Sequence, residues 1–413
     1  MVDLASNSIP MNESEHRIAK RNVLLLACAQ ATGFAVAPIS MAIGGLAGHY
    51  LLGDDKTFAT LPITAYVLGP LLGSMPAALL MKQVGRRFGF MAGAALGIFG
   101  CVVATYAIVE GSFALFCLAM MMNGISLSFA QQYRFAAADT GTAEFRTKAI
   151  SWVMAGGLVA AVVGPQTALL FGDLLAPVQF AGSFVGGAIL SAIGFAILFF
   201  LKDTDRTSET ADATPTRPAR PLKVIAKQPV FITSVICGAC SYMMMSLVMT
   251  AAPLAMVLCG YSTDVSTLGI QWHVMAMFAP SFFTGHLIVK FGHGKLIGAG
   301  LLLFLICGAI GIAGIEIANF WAALIALGFA WNFGYIGATS LVTKAYEPHE
   351  KNKVQGLFDS LVFALVAVIS LMSGVIMSTF GWAFVLALII PFVLIAGIAL
   401  LRPQSGLKTA GAA

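Results

Sequence analysis

Val84-Gly85-Arg86-Arg87-Phe88 closes one long apolar stretch and opens the next, and 207 residues further on Phe291-Gly292-His293-Gly294-Lys295 does the same. Glycine in so short a connection permits a turn with positive φ. The basic residues beside it anchor the connection at the inner face of a membrane. Two such turns, half a chain apart, predict a protein built twice. Outwards from them the sequence divides into apolar segments of spanning length, at roughly 22–47, 57–81, 89–109, 112–134, 149–171, 178–201, 229–256, 267–289, 296–316, 320–343, 355–379 and 382–401. The runs are rich in Leu, Ala, Met and Phe and do not alternate, which excludes membrane strands. Between the sixth and seventh runs, Lys202 to Lys227 is rich in Thr, Pro and charge and reads as a linker. The expectation is an all-α integral membrane protein of twelve transmembrane helices in two pseudo-symmetric six-helix bundles. The parts are a tail (1–21), an N-terminal bundle (22–201), a linker (202–228), a C-terminal bundle (229–401) and a second tail (402–413).

Composition agrees. Of 413 residues, 59% are hydrophobic and only 10% charged, with a mean hydropathy of +0.91, whereas a soluble domain carries about 25% charged residues. With the N-terminus inside, every Lys and Arg except Lys56 falls at the inner side, while Asp54, Asp55, Glu110, Asp173, Asp264 and Glu316 fall in outer loops. This bias places both termini in the cytoplasm and makes the basic stretches topology determinants, with no nucleic-acid partner. Residues 1–21 are polar and the first apolar run is long enough to span, so no cleavable leader is read. Six of the seven cysteines lie within predicted helices, which argues against a disulfide framework. There is no Gly-x4-Gly-Lys-Ser/Thr loop for ATP and no nucleophile–base set, so neither an ATP-driven pump nor an enzyme is expected, and no cofactor.

Two related halves, a central linker and basic glycine turns after the second and eighth helices resemble the major facilitator superfamily over essentially the whole chain. The resemblance implies alternating access around a central path. In detail the chain departs from the family. Where the 2–3 loop usually reads Gly-x-x-x-Asp-Arg-x-Gly-Arg-Arg, Lys82 and Gln83 stand at the Asp and Arg positions. The fourth segment reads Met120-Met121-Met122-Asn123-Gly124, without the Arg of proton-coupled members. The fifth carries Gly156-Gly157 and Gly164-Pro165, a partial match to the Gly-Pro motif of family antiporters and equally a stripe for bending and close packing.

Two pairs of soft ligands stand out in the spanning segments: Met245 with Met249, and His273 with Met277. Each is spaced i, i+4, so on a helix both members share a face. In an antiparallel hairpin centred near Tyr261, Met277 lies level with Met245 and His273 level with Met249. Thioether prefers Cu(I) and imidazole suits copper. Neutral donors bind a soft cation without fixed charge at membrane depth. Methionine is also ordinary helix filler, and an intramembrane His can be satisfied by a backbone carbonyl. The Met-x-x-x-Met and His-x-x-x-Met motifs resemble those of the CcoA-type copper importers of bacterial inner membranes. That resemblance implies a carrier with copper, as Cu(I), for cargo and copper supply to a cbb3-type cytochrome oxidase; a monomer with no obligate protein partner is expected.

Secondary metal or redox candidates are Cys237 and Cys240, spaced i, i+3, together with Cys28 and Met41, which project beside Cys237 and Met249 under the half-chain repeat. His49 is an entry ligand or a loop residue. Arg134, ending the fourth segment, and Asp359, opening the eleventh, form an inner gate pair, a proton-coupling site, or two separate helix anchors. Two other functions remain open: a carrier of an organic solute such as a drug or metabolite, in which the methionines line an adaptable apolar cavity, and a copper sensor that does not transport.

Overall fold

The computed structural model describes residues 13–54, 56–138, 143–202 and 220–402. Both expected tails and the middle of the expected linker lie largely outside these residues. Among the described residues the chain is helical throughout. The N-terminal half comprises α1 (Glu13–Gly33), α2 (Val36–Leu51), α3 (Leu61–Val84), α4 (Arg86–Val109), α5 (Phe113–Ala130), α6 (Tyr133–Ala138), α7 (Ala143–Phe171) and α8 (Ala181–Phe199). After the short α9 (Leu222–Ala226), the C-terminal half comprises α10 (Pro229–Leu258), α11 (Thr263–Phe278), α12 (Ser281–Phe291), α13 (His293–Ala313), α14 (Ile317–Trp331), α15 (Gly337–Leu341), α16 (Lys351–Ala387) and α17 (Ile389–Leu401).

Helices are the solution lipid demands, because every backbone N–H must be satisfied within its own segment. Ten of the described helices are long and apolar enough to cross a membrane, and α11 with α12, bent by 42°, make an eleventh crossing. α16 carries a further turn, where Gly381 at φ 76° breaks its helical geometry, and Ile389–Leu401 follows as a shorter apolar helix. The first helix begins at Glu13, earlier than the apolar run predicts, because Glu13–Arg21 is polar yet made largely of good helix formers.

The half-chain repeat is close in backbone terms. Gly85 (φ 84°, ψ 161°) joins α3 to α4, and Gly292 (φ 83°, ψ 159°) joins α12 to α13. Positive φ is strained for any residue with a Cβ, so each half spends a glycine on the same turn. The glycines of α7 serve packing: a Cβ at Gly156 would collide with the Ala27 carbonyl, and one at Gly164 with that of Ala35, so α7 lies against α1 and α2 at backbone distance.

The halves meet at the ends away from the linker. Thr60 Oγ1 donates to the Ser370 carbonyl at 3.4 Å and accepts from Gly374 N–H at 3.2 Å. Gln166 Nε2 donates to Gln271 Oε1 at 2.8 Å, and Phe34 meets Phe278 edge-on at 5.5 Å. At the linker end Arg134 and Asp359 are both exposed. They sense each other electrostatically but form no ion pair within 4.0 Å; the Arg134 guanidinium lies over the Phe135 ring at 4.8 Å. Thr60 with Ser370 and Gly374, and Gln166 with Gln271, join the halves on the side away from the linker.

Where the linker rejoins the helices it is clasped. Arg220 donates from Nε and Nη2 to the Glu350 carboxylate at 2.8 and 2.6 Å and from Nη2 to the Ala345 carbonyl at 3.1 Å. The backbone N–H groups of Arg220 and Glu347 complete the carboxylate shell at 2.9 and 3.0 Å. These bonds, the guanidinium's first, hold the Glu350 carboxyl at about 2, below its ordinary 4.5. Folding therefore gains from Glu350 above that ordinary value, and the gain is lost as pH falls from 4.5 towards 2. The melting temperature of the wild type should drop between about pH 5 and about pH 3 by more than that of Glu350→Gln. Equal drops would remove the clasp from the stability of the fold.

Candidate functional site

Three spanning segments lose regular helix geometry, and a ring cluster joins all three. The first crossing breaks at Phe34–Ala35, directly after Gly33. The eighth bends at Ala279–Pro280, where the proline has no N–H to give to the carbonyl four residues back. The tenth widens into a π turn over Asn332–Ile336. Such irregular turns inside membranes survive where side chains re-satisfy the backbone. Here the fully buried Asn332 does so: its Nδ2 donates to the Met277 carbonyl at 2.7 Å and to Ser281 Oγ at 2.8 Å, and its Oδ1 accepts from Thr284 Oγ1 at 2.6 Å. The bend in α11–α12 and the π turn after α14 are thus one hydrogen-bonded unit.

Aromatic rings fill the space these breaks surround. Phe34 and Phe278 meet across the two halves, and Phe278 reaches Trp331 at 6.5 Å. Trp331 stacks on Tyr335 at 5.1 Å with 25° between planes. Tyr242 of α10 stands edge-on to Trp331, Tyr335 and Phe363 at 5.6, 5.0 and 5.5 Å, and Phe358 stacks on Tyr335 at 6.4 Å. Asp359, one residue beyond Phe358, lies within electrostatic reach of Tyr242 and Tyr335. The cluster offers flat faces and edges, with the Asp359 carboxylate beside them, the surface on which a planar aromatic solute stacks.

The same geometry places the sequence-derived ligands. On α11, Gln271, Met275 and Phe278 share a face, and Gln271 and Phe278 touch the N-terminal half. His273 lies about 200° round the helix from Gln271. Its Nδ1–H donates to the Leu324 carbonyl of α14 at 2.8 Å, the ring is 0% exposed, and Nε2 has no partner. Gly328 of α14 makes this contact close: a Cβ there would come within 2.6 Å of the His273 carbonyl. The imidazole is thus engaged with α14, on the side of α11 turned from the path. Met245, Met249 and Met277 are buried in the main apolar core. On α10, Met249 lies within about 20° of the Tyr242 meridian and Met245 within about 60°.

Cys237 and Cys240 are also buried, and Cys237 Sγ approaches the Ala396 carbonyl of α17 at 3.7 Å. Cys28 is exposed, and Met41 is half-buried against the core. His49 is half-buried, and its carbonyl accepts from Lys56 Nζ at 2.7 Å. Among the described residues no three His, Cys, Asp or Glu side chains group as metal ligands.

Sequence reasoning missed Phe34, Tyr242, Phe278, Trp331 and Tyr335. The signals were present as Gly33-Phe34, Phe278-Ala279-Pro280 and Trp331-Asn332-Phe333-Gly334-Tyr335, each an apolar run punctuated by a helix breaker or a buried amide.

Two sets of apolar, membrane-length helices that meet at an aromatic cluster define a multi-pass membrane protein. The chain belongs to the Major Facilitator Superfamily, whose family model matches residues 23–282 and 273–411. It is 44% identical over 381 residues to the riboflavin transporter RfnT of Brucella anthropi, with 91% of this chain and 94% of that protein covered. It is 26% identical over 381 residues to YddS of Bacillus subtilis, an uncharacterized MFS-type transporter, covering 89% and 87% of the two chains. Its fold matches the crystal structure of a D-xylose-proton symporter with a TM-score of 0.73 at 15% identity, over 93% and 97% of the two chains.

Proposed function

We propose that this protein carries a planar heteroaromatic organic solute of the flavin class by alternating access, in a bacterial inner membrane with both termini cytoplasmic. The observation that carries the reading is the ring cluster of Phe34, Tyr242, Phe278, Trp331 and Tyr335, which draws on both halves. The 44% identity to a riboflavin transporter supports the same solute class. The orientation rests on the Lys and Arg bias.

Copper import, the first expectation from the Met and His spacing, has less behind it. His273 is engaged with α14, and the relative with 44% identity is named for riboflavin. The unpartnered, fully buried Nε2 of His273 is the observation in its favour. The oxidase link came with the copper resemblance and has no separate support.

One experiment separates the readings. Cells unable to make riboflavin and expressing the protein should accumulate riboflavin above the empty-vector level, while their copper content is unchanged. Raised copper that Met245→Ala and His273→Ala abolish, with no riboflavin uptake, would reverse the assignment.

A further inference from the structure

Two buried polar atoms beside the ring cluster have no partner. Trp331, 7% exposed and stacked on Tyr335, carries an Nε1–H with no acceptor. Gln30 of α1 carries a buried Oε1 with no donor. Gln30 lies one turn from Phe34 on the same helix face, and its amide nitrogen lies beside Gly157 of α7. Several buried hydroxyls also lack partners, but a helical hydroxyl can rotate onto the carbonyl of the preceding turn. An indole N–H, fixed in its ring, has no such recourse, and a buried carboxamide oxygen can only exchange places with its own nitrogen. Trp382 Nε1 is unpaired as well, but that ring packs with Phe320, outside the cluster. Unpaired buried groups in native structures call for a partner from outside the chain.

The two atoms differ in sign and in origin. Trp331 presents a donor from the C-terminal half, and Gln30 an acceptor from the N-terminal half. We infer that Trp331 and Gln30 together read a lactam or imide edge, a ring carbonyl beside a ring N–H, on the heterocycle held by the aromatic cluster. The ring carbonyl accepts from Trp331 Nε1–H, and the ring N–H donates to Gln30 Oε1. This deepens the flavin-class reading and rests on it: flavins carry such an edge on the pyrimidine end of the ring system. A planar hydrocarbon lacks it and gains only the stacking. Because the halves contribute one group each, the bound heterocycle bridges them, so its binding energy is available to the movement of one half against the other.

The test uses the full chain in lipid nanodiscs, with binding read from quenching of flavin fluorescence. The probes are riboflavin and N3-methylriboflavin, in which a methyl group replaces the imide hydrogen. Trp331→Phe keeps a ring for stacking and removes the N–H, and Gln30→Leu removes the acceptor. Each should raise the riboflavin Kd about tenfold, the effect of one hydrogen bond to a buried group. Wild type should bind N3-methylriboflavin about tenfold more weakly than riboflavin, and Gln30→Leu should weaken that ligand no further. Unchanged riboflavin affinity in both variants would overturn the edge reading and leave the flavin-class reading in place. If a variant does not fold, the wild-type comparison decides alone, and equal affinity for the two probes overturns the inference. Absence of riboflavin binding to wild type would overturn the flavin-class reading together with the inference built on it.

Discussion

Under the flavin-class proposal, Tyr242→Ala is expected to cut riboflavin uptake by about 30-fold while leaving the protein folded in the membrane. The ring is half-buried and makes edge-on contact with Trp331, Tyr335 and Phe363. Each such contact contributes about 0.5–1.5 kcal/mol beyond its buried area. A contact of the same kind from the Tyr242 ring to a bound solute, together with the wall position the ring holds among its neighbours, would contribute about 2 kcal/mol to binding, which is about 30-fold in affinity. Tyr242→Phe should retain most of the uptake, because none of the three contacts uses the hydroxyl. Initial rates of riboflavin uptake in proteoliposomes, normalised to protein incorporated, give both values. A Tyr242→Ala variant as active as wild type would mean that solute passes elsewhere.

Asn332→Leu is expected to act on the fold. Leucine has about the right volume but leaves the Met277 carbonyl and the hydroxyls of Ser281 and Thr284 without the partner they now have. Each stranded polar group costs about 1–3 kcal/mol. Thr284 keeps its second acceptor, the Pro280 carbonyl at 2.7 Å, so two groups dominate and the loss should be about 3–5 kcal/mol. Asn332→Asp preserves the acceptor for Thr284 but gives the Met277 carbonyl no donor, and it adds a charge at membrane depth, so it should not rescue. Thermal unfolding of the purified protein in detergent, followed by cysteine exposure, measures the effect. A melting temperature within a degree or two of wild type would show that the bend of α11–α12 holds without this amide.

The contrast between what was legible and what was not follows from locality. Spanning length is a property of consecutive residues, and a positive-φ turn of one glycine. Most of the spanning helices and the matched turns at Gly85 and Gly292 could therefore be read directly. The spacing of His273 and Met277 also gave something true, namely which residues share a helix direction. It could not say which neighbour that direction meets, and α14 takes His273 through a carbonyl 51 residues away. The ring cluster was opaque for a related reason. With 30 phenylalanines and eight tyrosines in the chain, aromatic residues carry little information singly. What distinguishes Phe34, Phe278 and Tyr335 is that each lies at an interruption of its helix, and three interruptions converge only once the helices are packed.

The closure at the end away from the linker has one further property. Thr60 with Gly374 and Ser370, Gln166 with Gln271, and Phe34 with Phe278 are all uncharged. A charge moved through the full membrane potential exchanges about 2.3 kcal/mol per 100 mV with the field. Parting these groups moves none, so the free energy of that step does not depend on transmembrane voltage. Voltage dependence of transport would have to arise from charged groups elsewhere, Arg134 and Asp359 among them.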